Sequence, residues 1–169
     1  LLAAAQGGRL QNDDVLTAQL TRMLKHGRIA AFAREFFGQW LRYRDYLVKD
    51  PINAPAFPEY TDELRNAMFE EPERLATHLI QNDEPIISLL NSDATFVNRR
   101  LAKHYGGKIE SAYETAAARD ALHDWRRVNG LHAAGRGGLF GMAVILTKNS
   151  AGERTSPVKR GFWSVHHLL

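Results

Sequence analysis

Apolar side chains recur every three to four residues along most of this chain, the spacing that lets an α-helix bury one face. Asp13 and Asp14 suit the positive end of a helix dipole and open a predicted helix to about His26, with Leu16, Leu20, Met23 and Leu24 on its apolar face. Gly27 is its natural stop. The next predicted helix, 28–43, sets Ile29, Phe32, Phe36 and Trp40 in one stripe, which is expected to be core because such stripes are far more often packed than ligand-binding. Pro51, Pro55 and Pro58 mark an irregular connector. Thr61-Asp62-Glu63 then starts a helix with Leu64, Met68, Leu75 and Leu79 inward, and Pro72 is expected to kink or split it.

Further on, Ser92-Asp93 reads as the cap of a helix with Phe96, Val97, Leu101 and Tyr105 inward and Arg99, Arg100 and Lys103 outward, ended by Gly106-Gly107. The pattern weakens between Lys108 and Gly135. A short alanine-rich surface helix is expected within 111–123, and the alternation of Trp125-Arg126-Arg127-Val128 suits an extended run. The apolar run Leu139 to Leu146 reads as a buried helix, with a strand as the second choice. Ser156-Pro157 starts a last helix with Val158, Phe162, Val165 and Leu169 inward. The expected fold class is therefore all-α, an irregular multi-helix bundle with long Pro/Gly-rich connectors.

Several function classes are excluded or disfavoured. Without cysteine there is no disulfide, Cys-ligated zinc, iron–sulfur cluster or covalent c-type haem in this segment. No apolar run approaches the ~20 residues that span a bilayer. A net charge of +3 is too small to argue for nucleic acid unless it is clustered. Arg99, Arg100 and Lys103 form one basic group and Arg126-Arg127 another, while the aromatics fall mainly on apolar faces, so a nucleic-acid partner is disfavoured. No His pair has metal-binding helical spacing, since His166 and His167 diverge by about 100° and His78 and His104 stand alone. Acidic pairs such as Asp62-Glu63 and Glu70-Glu71 read as solvated helix faces. Both termini, Leu1-Leu2-Ala3 and His167-Leu168-Leu169, read as cut inside helices, so a piece of a longer polypeptide is expected.

The run Phe96-Val97-Asn98-Arg99-Arg100-Leu101-Ala102-Lys103-His104-Tyr105-Gly106 resembles a stretch of planctomycete-type domains of unknown function. So do Arg136-Gly137-Gly138-Leu139, Val144-Ile145-Leu146-Thr147 and Arg154-Thr155-Ser156-Pro157-Val158-Lys159-Arg160-Gly161, while Gly38-Gln39-Trp40-Leu41 resembles an adjoining upstream family. The resemblance implies residues 1–60 as the end of an upstream helical domain and 61–169 as a second helical domain, the two sharing one core. It also implies an exported, periplasmic or otherwise extracytoplasmic protein. Its partners would be other domains of the same polypeptide, among them a c-type cytochrome module that holds any haem; no cofactor is expected in this segment. No reaction is implied.

The residues themselves single out the start of the last helix. Ser156 caps and Pro157 suits the first helical position, but Lys159 and Arg160 put positive charge where the helix dipole favours an acid. Either an acidic side chain elsewhere in the fold pairs with them, or they take an anion together with Arg154, Thr155 and Ser156, and Arg136 if it folds nearby. Two functions follow: a non-catalytic helical scaffold or interaction domain, favoured because helix ends are more often structural, and an anion- or carbohydrate-binding domain, catalytic or not, at the Ser156–Arg160 helix start.

Overall fold

A computed structural model describes residues 1–49, 52–117, 124–150 and 152–169, apart from the side chain of Ala54. Along the chain lie α1 (Leu2–Gln6), α2 (Asp13–Leu24), α3 (Ile29–Trp40), α4 (Asp62–Gln81), α5 (Ser88–Asn91), β1 (Ala94–Val97), α6 (Arg99–Tyr105), α7 (Gly107–Thr115), β2 (Arg126–Asn129), α8 (Ala143–Lys148) and α9 (Pro157–Leu168). Four helices begin on a side chain that accepts from a first-turn amide: Asn12 from Val15, Thr61 from Leu64, Asn98 from Leu101 and Ser156 from Lys159. Part of the alanine-rich segment, 118–123, lies outside the described residues.

The fold is helix-rich but not all-α. β1 and β2 pair antiparallel, with Ala94 opposite Asn129 and Val97 opposite Arg126. The helix expected from Ser92-Asp93 instead starts at Arg99, because 94–97 is taken up by β1 and Asn98 is the true cap. All four β1 residues are buried, so this strand has none of the in–out alternation that betrays strands in a sequence. Its β-branched and aromatic Thr95, Phe96 and Val97 suit the extended state. β2 falls on the run whose alternation suggested extension.

α4 is the hub on which α3, α5, α6, α8 and β1 pack. Leu64, Met68, Leu75 and Leu79 are buried on it as their spacing predicts. The helix runs unbroken through Pro72, which is itself buried. Pro72 has no N–H to give the Met68 carbonyl, and its neighbours are fixed from outside the helix: Glu71 by β1 and α6, Glu73 by Arg34 of α3 at 2.7 Å. Ala33, Phe37, Leu41, Tyr43 and Tyr46 join the same core as the α4, α6 and α8 side chains. The apolar run 139–146 forms a 3-10 turn at Leu139–Gly141 followed by α8, with Leu139, Met142, Val144 and Ile145 buried.

Three predicted core stripes face outward instead. α2 has no buried residue. On α3 Ile29 is buried as expected, together with Ala33, Phe37 and Leu41, but the rest of the predicted stripe faces outward: Phe32 and Phe36 are 54% and 48% exposed and Trp40 is 37% exposed. On α9 only Trp163 is buried; Val158, Phe162, Val165 and Leu169 are exposed. The physical reason for α3 is close approach: the fully buried Ala33 lets the helix lie tight on α4, and Ile29, Phe37 and Leu41 on the same side fill the core beside it.

Candidate functional site

The start of α9 has the local structure its sequence predicts. The Ser156 hydroxyl accepts from the Lys159 amide at 3.3 Å, and Pro157 occupies the first helical position. The Arg160 guanidinium turns back to hydrogen-bond the Thr155 hydroxyl. Arg154, Thr155 and Arg160 line an open cavity of about 480 Å³ whose other walls include Phe57, Tyr60, Leu64, Met68, His104 and Leu146. Ser156 and Lys159 lie outside that lining, and Lys159 is exposed. Arg136 does not join them: it donates to the Gly141 carbonyl at 2.8 Å and its guanidinium lies 4.2 Å from the centre of the Tyr105 ring. Among the described residues no acid forms an ion pair with Arg154, Lys159 or Arg160.

A second cavity, of about 500 Å³, is lined by Glu59, Thr61, Leu64, Arg100, Lys103 and His104. It shares Glu59, Leu64 and His104 with the first, so the two adjoin. His104 presents much of its area to solvent, yet enough protein surrounds the imidazole that desolvation, with Arg136 adding to it and Glu59 opposing, holds it below its usual range. The other basic groups are partly neutralised, since Arg99 and Arg126 both pair with Asp124.

The sequence reading missed Glu71. It is fully buried rather than part of a solvated face. The Thr95 hydroxyl donates to one carboxylate oxygen at 2.8 Å and the Tyr105 hydroxyl to the other at 2.5 Å. The Tyr105 oxygen in turn accepts from the Ala143 amide at 2.9 Å, so one buried carboxylate ties α4 to β1, α6 and the first turn of α8. Burial pushes Glu71 up to about 7, opposed by these hydrogen bonds and by Arg136. The signal was present: 64, 68, 71, 75 and 79 share one helical phase, which places Glu71 among the core leucines. With its carboxylate enclosed, Glu71 serves as a structural tie.

Apart from the cavities, the most distinctive surface is apolar. Phe32 and Phe36 stack at 5.5 Å between ring centres, and Trp40 lies 5.9 Å beyond Phe36. The Trp40 indole donates to the His167 carbonyl at 2.9 Å and the Trp163 indole to the Leu41 carbonyl at 3.0 Å, so the end of α3 is fastened to α9. Among the described residues no group of three His, Asp or Glu is placed to hold a metal ion, and no helix is long and apolar enough to cross a membrane.

Compared with known proteins, residues 1–106 match a family model described as PSD4, protein of unknown function (DUF1592). No curated protein and no solved structure matches the chain.

Proposed function

The chain belongs to the PSD4 (DUF1592) family of proteins of unknown function, and from that premise we propose that it is a helical interaction domain that docks a neighbouring domain of its own polypeptide. The observation that carries this reading is the solvent-facing aromatic ladder Phe32-Phe36-Trp40, with the apolar stripes of α2 and α9 also left uncovered. Isolated exposed apolar residues are ordinary, but contiguous ones mark contact surfaces, and aromatic residues dominate the energetics of such surfaces. Covering a half-exposed Phe is worth on the order of 1 kcal/mol. The stacked rings and the Trp40 anchor hold their geometry without a partner, which lowers the ordering cost of binding.

The motif resemblance extends the proposal. On this reading the domain is part of an exported, extracytoplasmic polypeptide that carries a c-type cytochrome module, and any haem chemistry belongs to that module. The Phe32→Ser/Phe36→Ser double variant tests the docking role. Because both rings are half in solvent, the isolated domain is expected to keep its stability within about 1 kcal/mol in a denaturant titration. Its binding to the separately expressed remainder of the polypeptide is expected to fall at least about tenfold. A loss of several kcal/mol in the isolated domain, or unchanged binding, contradicts the proposal.

A further inference from the structure

We infer that the cavity between α4, α6, α8 and the start of α9 binds a small amphiphilic anion, its carboxylate or phosphate head on Arg154 and Arg160 and its apolar body against Leu64, Met68 and Leu146. This goes beyond the docking role and does not depend on it. The cavity floor is apolar and belongs to the core: Leu64 and Met68 are almost wholly buried, yet both border the open space. Phe57 and Tyr60 add aromatic surface to the same lining, with the Tyr60 hydroxyl already engaged by Tyr46 at 2.7 Å. Small-ligand sites commonly join such apolar walls to a few convergent polar groups.

Those polar groups are present and uncommitted. Arg154 and Arg160, like Arg100 and Arg136, are in no ion pair among the described residues, and of these Arg154 and Arg160 line this cavity. Arg160 is only half-exposed and spends one donor on Thr155, and a guanidinium carries five. A planar fork of this kind suits a carboxylate or phosphate head. Glu59 and Glu153 also line the cavity, so its net charge is small. That balance disfavours polyphosphates and nucleic acid, whose several charges would meet both acids, and favours one charged head on an apolar body. His104, which desolvation and Arg136 hold below its usual range, adds hydrogen-bonding capacity to the same lining.

Octanoate is a suitable probe, with acetate (a head without a body) and octan-1-ol (a body without a head) beside it. The inference predicts one saturable octanoate site by titration calorimetry, with amide shifts at Leu64, Met68, Leu146, Arg154 and Arg160 in NMR spectra. Acetate and octan-1-ol should each bind at least about tenfold more weakly. The Arg154→Gln/Arg160→Gln double variant, whose folding is checked by its thermal midpoint, should weaken octanoate by about tenfold or more, as expected for a lost charge-assisted contact. Absence of saturable binding at millimolar octanoate, unchanged affinity in the double variant, or shifts confined to the apolar faces of α3 and α9 would overturn it. Equal binding of inorganic phosphate and octanoate would overturn the amphiphilic character.

Discussion

Gly138→Ala is expected to cost on the order of 4 kcal/mol of folding stability. Gly138 has φ 51° and ψ −159°, a backbone region essentially reserved for glycine. A Cβ there would sit 2.1 Å from the Leu90 carbonyl oxygen and 2.7 Å from the Asn91 nitrogen, both main-chain atoms that cannot rotate aside. The loop is pinned in place, because the Gly138 amide donates to the Ser92 carbonyl at 2.9 Å. Backbone strain contributes about 1–3 kcal/mol of this loss and overpacking about 1–3 kcal/mol. Gly135→Ala is the control: its φ is also positive, at 70°, but nothing lies within 4 Å of the added Cβ, so about 1 kcal/mol is expected. Urea midpoints of the two variants check both. Equal losses would show that backbone conformation, and not the packing of this loop on the end of α5, sets the cost.

Glu71 gives the second large effect, and its sign is unusual for a carboxylate. The folded state raises it from 4.5 to about 7, so between those values the folded protein holds a proton that the unfolded chain has released. Its contribution to stability is therefore complete below about pH 4.5 and is lost as pH rises to about 7, roughly 3 kcal/mol in all. Other groups titrate in this range, His104 in the opposite sense, so the useful quantity is the difference between the wild-type protein and Glu71→Gln. That difference should change by up to about 3 kcal/mol from pH 4.5 to 7 in denaturant titrations and stay level above it. Glu71→Ala should be about 2–4 kcal/mol less stable than Glu71→Gln at every pH, since it strands the Tyr105 and Thr95 hydroxyls in the core and neither variant titrates at this position. A pH-independent difference for Glu71→Gln would contradict the buried-carboxylate account.

Much of the helical framework was legible from spacing and capping chemistry. Thr61 and Ser156 cap helices where the sequence places their starts, and the α4 leucines point where their phase requires, whereas α6 is capped by Asn98 and not by Ser92-Asp93. What spacing does not encode is which of two plausible faces meets the rest of the fold. On α3, Ala33-Phe37-Leu41 and Phe32-Phe36-Trp40 are both regular stripes, and the choice depends on how closely α4 can approach, a tertiary matter. The sheet was missed for a different reason. β1 is four residues long and buried throughout, so its apolar run merges with the helical pattern of Leu101 and Tyr105. At the candidate site, the Ser156 cap and the nearness of Arg154, Thr155 and Arg160 followed from local sequence. Arg136 depended on chain packing that no local pattern reports.

The claim that the outward apolar faces are a contact surface is tested most directly by amide hydrogen exchange, comparing residues 1–169 alone with the same residues inside the intact polypeptide. In the isolated chain α2 buries no side chain, so its amides should exchange quickly, while those of α4 stay protected. The account predicts that in the intact polypeptide α2 and the Phe32–Trp40 side of α3 slow by about tenfold or more. Identical exchange in the two contexts would contradict it.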